Sequence, residues 1–217
     1  MNYRVTCLTP ILVGDGQKLA PVDYMVWRDH VNVLDQRRIF KLLAKGPRLD
    51  GYLAQLKKAD KLDFASWGGF AQNFAGRRIP FEHASSIPVW EKARAEQLFI
   101  PTFATDHRGP YLPATALKGA LRTGSVHARW TEGTMRHFSE RLGDDRLPRN
   151  PGVKLEDGPL TRRLSAGDST PISVASLKIY LARTSTVIPK GQDRVELGWK
   201  PDITFAEMAS PGTQIAG

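Results

Sequence analysis

Residues 111–123 read Tyr111-Leu112-Pro113-Ala114-Thr115-Ala116-Leu117-Lys118-Gly119-Ala120-Leu121-Arg122-Thr123, and the spacing predicts a helix that opens after Pro113 and runs to about Trp130. Leu117, Ala120, Leu121, Gly124 and Ala128 recur three or four positions apart. They form one apolar stripe whose small members permit close packing, so Leu121 is expected in the core. Thr115, Lys118, Arg122, Ser125 and Arg129 recur at the same intervals on another face, a line of cations and hydroxyls over roughly four turns at about 1.5 Å rise per residue. Each cation in such a line can neutralise a phosphate and release condensed counterions. The bland alternative is a polar face that is simply solvated. A helix start presents unpaired amide hydrogens and the positive end of the macrodipole, which makes the region of Thr115 a candidate anion site. Lys118, in the first turn, is unfavourable against that dipole unless an anion occupies the site.

Upstream, Tyr3, Val5 and Cys7 alternate with Arg4, Thr6 and Leu8, the period of a strand, which Thr9-Pro10 ends. Two β-rich runs, Val22 to Trp27 and Val31 to Leu34, flank Arg28-Asp29-His30 and read as a hairpin. Asp35 can cap a helix with Ile39, Phe40, Leu42 and Leu43 as its apolar face, stopping near Gly46-Pro47. Leu49, Tyr52, Leu53 and Leu56, then Phe64, Trp67, Phe70 and Phe74, predict a helical insertion over about 48–95. A short strand is expected between Leu98 and Phe103, followed by a turn at Asp106-His107-Arg108-Gly109-Pro110. Residues 141–170, rich in Gly, Pro and charge, read as a long polar loop. Leu177, Ile179 and Leu181 then alternate as a strand. Interleaved strands and helices make an α+β, ferredoxin-like sheet covered by helices the economical architecture, as a single domain over 1–217.

The chain has 217 residues, 41% of them hydrophobic, with five Trp, enough for one good-sized core. A net charge of +9, spread along the sequence rather than held in a tail, favours a polyanionic partner on a folded basic surface. One cysteine, Cys7, can form neither an internal disulfide nor a Cys-x-x-Cys zinc site, so no metal and no other cofactor is expected. No stretch reaches the ~20 apolar residues of a membrane span, and no signal-peptide apolar region follows Met1, so a cytoplasmic location without membrane partners is expected.

The Leu117-Lys118-Gly119-Ala120-Leu121-Arg122 core after Leu112-Pro113 resembles the signature of the RAMP superfamily of CRISPR-associated proteins, in which Ile-Pro-Gly-Ser-Ser-Leu-Lys-Gly-x-Leu-Arg opens a helix facing guide RNA. Leu8 to Gly16, with Lys18-Leu19-Ala20-Pro21-Val22-Asp23-Tyr24, and Asp168-Ser169-Thr170-Pro171-Ile172 are similar to segments of the guide-3′-end capping (fifth) subunit of the type III-A Csm complex. The departure is Ala114-Thr115-Ala116 where the signature has Gly-Ser-Ser, which thins the hydrogen bonding available at the helix start. The resemblance implies a modified RRM-like fold and a non-catalytic role: binding the 3′ region of the single-stranded CRISPR RNA beside a repeated backbone RAMP subunit and other Csm subunits, and contributing to guide maturation, with host nucleases as further partners. Thr115, Lys118, Gly119 and Arg122 would contact guide phosphates, and Gly14 and Gly16, beside Lys18, would let backbone approach RNA. Relatives tend to carry a further carboxy-terminal RAMP half. Here the sequence reaches Ala216-Gly217 without an evident closing element, which reads as a truncation, a split gene product or a compact variant.

Rival readings attach to several residues. Gly14-Asp15-Gly16 is equally a tight turn, and it lacks the Gly-Lys-Ser/Thr of a nucleotide P-loop. His127 and His137 raise the alternative of a metal-independent RAMP endoribonuclease that processes repeat RNA, against surface or core histidines. Asp144-Asp145 and Asp168 are magnesium candidates, against solvated carboxylates. Trp130, Tyr180 and Arg183 can stack on bases or sugars, against ordinary packing. Arg136, Arg141, Arg146, Arg149, Arg162 and Arg163 can wrap RNA or a neighbouring subunit.

Overall fold

In a computed structural model of the chain, the described residues are 2–44, 48–58, 61–62, 74–133, 136, 164–189 and 195–217. The chain order is β1 (Arg4–Thr6), β2 (Lys18–Leu19), β3 (Tyr24–Trp27), β4 (His30–Leu34), α1 (Gln36–Leu43), α2 (Arg48–Lys58), β5 (Ala75–Pro80), α3 (Ser86–Glu91), β6 (Ile100–Pro101), β7 (Thr105–Asp106), β8 (Gly109–Pro110), α4 (Ala114–His127), β9 (Leu177–Pro189), β10 (Val195–Ala209) and β11 (Gln214–Ala216). Two compact units result, one of Met1–Tyr111 with Pro171–Ala216, the other of Leu112–Thr170. The mixture of helix and sheet is the α+β class that the alternating patterns predict.

The first unit is built on the antiparallel sheet β3-β4-β5. Its hairpin pairs Trp27 with His30, leaving Arg28 and Asp29 as the turn, and Arg28 takes the left-handed conformation at φ 53°. Successive side chains alternate between faces. One face sends Tyr24, Val31 and Ile79 into a core shared with Ile100, Ile179 and Phe205. Tyr24 donates to the Leu98 carbonyl at 2.7 Å, and burial pushes its hydroxyl up to about 12, so it stays protonated. The other face sends Leu34 against Ile39 and Leu43 of α1, Tyr52 of α2, Leu62 and Phe74. Asp35 caps α1 as expected, its carboxylate accepting the Arg38 amide hydrogen at 3.0 Å. Only half of the predicted apolar face of α1 is inward: Ile39 and Leu43 are buried, Phe40 and Leu42 exposed.

β9 and β10 form a long antiparallel ribbon with a register shift between Trp199 and Ile203. Its proximal half buries Leu177, Ile179 and Phe205, whereas Val187, Leu197 and Trp199 on the distal half stand exposed. Single bridges, Phe81 to Ile179 and Ile11 to Ala209, tie the ribbon to the rest of the unit. β11 pairs with β1, placing Val5 opposite Ile215. Glu207 on β10 is fully buried; one carboxylate oxygen accepts the Phe103 amide hydrogen at 3.2 Å and the other accepts the Arg77 guanidinium of β5. That pairing satisfies a charge whose unpaired burial would be prohibitive.

Three expectations need correction or bounds. The helical insertion over about 48–95 contains α2 and α3, but Ala75–Pro80 within it is a strand, because Ile79 fills the core opposite Val31 and Arg77 reaches Glu207. Phe64, Trp67 and Phe70 lie outside the described residues, as do 141–163 of the predicted polar loop; 164–170 carry no regular element. The carboxy-terminal stretch, read as lacking a closing element, holds β10 and β11. There Ile203 and Phe205 alternate with solvent-facing Thr204, and β11 completes the pairing of β1.

Candidate nucleic-acid interface

In the second unit, α4 starts on Pro113, whose carbonyl accepts the amides of Ala116 and Leu117 at 3.0 and 3.2 Å. The first helical amide, that of Ala114, donates to the Asp168 carboxylate at 2.8 Å. Ser169 fixes the same junction. Its hydroxyl accepts the Leu112 amide hydrogen at 2.8 Å and donates to the Thr170 carbonyl, while its own amide donates to the Leu112 carbonyl at 3.0 Å. The anion site expected at the helix start is therefore already served in part by an internal carboxylate, which also complements the macrodipole. Asp168, weighed above as a magnesium ligand, works as a cap from 54 positions away, and no local sequence signal can announce a partner that distant.

The predicted polar line is on the surface. Thr115, Lys118, Gly119, Arg122 and Arg129 are exposed and Ser125 is half-buried. Arg129 lies in the turn after the helix and donates to the Ser125 hydroxyl at 3.3 Å; Thr123 donates to the Gly119 carbonyl at 3.0 Å. A Cβ added at Gly119 would meet nothing within 4 Å, so this glycine faces open space beside Lys118. The predicted apolar stripe is not a core face: Leu117 is half-buried, Ala120, Gly124 and Ala128 are exposed, and Leu121 is 48% exposed. Spacing fixes which side chains share a stripe but not whether another element covers it, and here the helix is anchored at its amino-terminal end, at buried Leu112 and Ser169.

Gly14, Gly16 and Lys18 form a separate group in the first unit. Asp15 accepts the Gln17 amide hydrogen at 3.0 Å, and Gly16 between them sits at φ +86°, a conformation that favours glycine, so the tight-turn reading accounts for Gly16. A Cβ on Gly14 would make only an ordinary 3.5 Å contact with the Thr102 carbonyl. Lys18 on β2 holds its ammonium 4.6 Å from the centroid of the Phe99 ring.

The remaining candidates divide similarly. Trp130 is half-buried and packs near the ring of exposed His127, with centroids 5.2 Å apart. Half-buried Tyr180 donates to Ser210 at 3.2 Å, and Arg183 is exposed on β9. Arg136 donates to Glu132 at 3.3 Å on an exposed surface. His137, Asp144, Asp145 and Arg141, Arg146, Arg149, Arg162 and Arg163 lie outside the described residues. Among the described residues no group of three or more His, Cys, Asp or Glu side chains could hold a metal, and no helix is long and apolar enough to cross a membrane.

Fold comparison agrees with this layout. The chain is similar to the crystal structure of T. onnurineus Csm5, with a TM-score of 0.66 and 19% identity over 98% of this chain and 66% of that one. It is also similar to a chain of the cryo-EM structure of a Csm–crRNA–target RNA ternary complex in a type III-A CRISPR–Cas system, with a TM-score of 0.56 and 21% identity over 100% of this chain and 63% of that one. It thus spans about two thirds of the length of the solved chains it matches. No curated protein sequence matches it. The family model of the RAMP superfamily matches residues 4–154, from β1 through the whole of α4 with its Leu-Lys-Gly-Ala-Leu-Arg core, and the chain belongs to that superfamily.

Proposed function

We propose that this protein binds CRISPR RNA as a non-catalytic subunit of a type III-A Csm interference complex, on a modified RRM-like body, and that it caps the guide's 3′ end in the cytoplasm. The carrying observation is the line of exposed Thr115, Lys118, Arg122 and Arg129, with half-buried Ser125 among them and open space over Gly119. The likeness in fold to Csm5, and to a chain of a Csm–crRNA–target complex, supports the assignment.

Lys118, Arg122 and Arg129 act as point charges for consecutive phosphates, the absence of a side chain at Gly119 lets the backbone of the strand come close, and the Thr115 hydroxyl donates to a phosphate oxygen. Contacts of this kind set register without reading bases, so the guide is held whatever its sequence. The turn at Gly14 to Lys18 supplies a second contact, and a repeated backbone RAMP subunit is the neighbour along the guide.

A salt titration of binding to a single-stranded guide RNA tests this, comparing the native protein with Lys118→Glu/Arg122→Glu. Each lost phosphate contact should lower the slope of log K against log salt by roughly 0.7 for single strands, so the pair should flatten it by about 1.4. Equal slopes would mean that the line is only solvated. Discrete cutting of repeat RNA, abolished by His127→Ala, would instead identify an endoribonuclease.

A further inference from the structure

Helix α1 reads Gln36-Arg37-Arg38-Ile39-Phe40-Lys41-Leu42-Leu43, with three cations and no acidic side chain. Ile39 and Leu43 take the buried line, Arg37 and Lys41 stand one turn apart on the solvent side, and Phe40 falls between, 51% exposed. Tyr52 of α2 donates to the Gln36 side chain at 3.2 Å and pins the two helices together. Between them lies a groove of about 610 Å³ lined by Gln36, Arg37, Phe40, Lys41, Leu53 and Leu56, with Tyr52 beneath. Leu53 is 37% exposed. Among the described residues Arg37, Arg38 and Lys41 make no salt bridge. Among the described residues the nearby acidic groups are engaged or set apart: Asp35 caps the helix, Asp23 accepts from Gln36 at 3.3 Å, and Asp50 of α2 does not line the groove.

We propose that the α1–α2 groove docks an acidic amphipathic helix from a protein partner. Apolar side chains at helical spacing would cover Phe40, Leu53 and Leu56, and flanking Asp or Glu side chains would meet Arg37 and Lys41. A pair of packed helices offers ridges between which a third helix seats its own, and an apolar floor with charged rims is the pattern of helix-in-groove recognition. Nucleic acid fits the cations but not the floor. Bases bind by stacking on aromatic faces; Phe40 offers one exposed ring, but Leu53 and Leu56 beside it offer none and suit the apolar side chains of a helix.

The test is selection from a displayed library of short random peptides on the purified full chain, with an oligouridylate as the rival ligand. Selected peptides should combine Asp or Glu with apolar residues at i, i+3 or i+4, and i+7. They should lose at least about tenfold in affinity to Phe40→Ala and to Arg37→Glu/Lys41→Glu. Unchanged circular dichroism would show that these variants fold, and Lys41→Glu alone, at an exposed position, is the reserve variant. Selected peptides that bind all variants equally, or no enrichment, overturn the proposal. So does a comparable loss of oligouridylate affinity in the same variants without peptide enrichment, which would make the groove an RNA surface. Because Lys118→Glu/Arg122→Glu leaves α1 untouched, peptide binding by that variant separates this inference from the guide-binding assignment.

Discussion

The Asp168 carboxylate accepts the Ala114 amide hydrogen at 2.8 Å, so a residue near the carboxy-terminal end of the 141–170 stretch caps the helix that carries the proposed RNA-binding face. Removing it by Asp168→Ala should destabilise that helix by about 1 kcal/mol, through loss of an acceptor and of a negative charge at the positive helix end. Asp168→Asn keeps an acceptor and should lose less. Hydrogen exchange at residues 114–118 reads both effects directly; equal protection in all three proteins would remove the cap from the account.

Leu121 separates two pictures of the same helix. A core position would make Leu121→Asp unfold the protein, but at 48% exposure the carboxylate keeps much of its water and the change should stay within about 1 kcal/mol. Ile179→Ala, at a residue with no exposure, should cost about 2–5 kcal/mol. Urea midpoints of the two variants give the comparison, and a Leu121→Asp protein that unfolds first would restore a covered stripe.

Glu207 holds two partners inside the first unit, the Phe103 amide and the Arg77 guanidinium. Glu207→Ala strands both and should cost about 3–5 kcal/mol, the usual result of breaking a buried pair from one side. Glu207→Gln retains an acceptor for Phe103 and should fall between. Thermal unfolding that leaves Glu207→Ala unchanged would show that the pair contributes nothing net.

Cys7 is 1% exposed, and burial holds its thiol above the ordinary range. In the folded protein it should react with a thiol reagent far more slowly than in denaturant, because both access and thiolate are scarce. Labelling at the free-thiol rate under native conditions would mean that the segment joining β1 to Thr213 opens readily.

The local elements were legible because their causes are local. Asp35 announces its helix by capping chemistry, Val22 to Trp27 and Val31 to Leu34 their hairpin as β-rich runs around a turn, and Leu117 to Arg122 their helix by spacing. What escaped depends on partners distant in sequence. Ala75–Pro80 becomes a strand because β4 lies beside it, and Asp168 is a cap because Ala114 arrives there. Exposure of Leu121 likewise depends on what does or does not pack above it. For the candidate site, the residue types and their shared face could be read from the sequence, but the occupant of the helix start could not. Gly16 shows the converse: its turn and positive φ follow from Asp15 and Gln17 alone.

The pairing of Arg4, Val5 and Thr6 with Ala216, Ile215 and Gln214 has a kinetic meaning during synthesis. The hydrogen-bonding partner of β1 lies far along the sequence, so it is made on the order of tens of seconds after β1 at ~5–20 residues per second. Throughout that interval its edge is open to other nascent strands, and closure between such remote segments is intrinsically slow. The charge of Arg4, exposed in the finished protein, disfavours pairing of that waiting edge with a wrong chain.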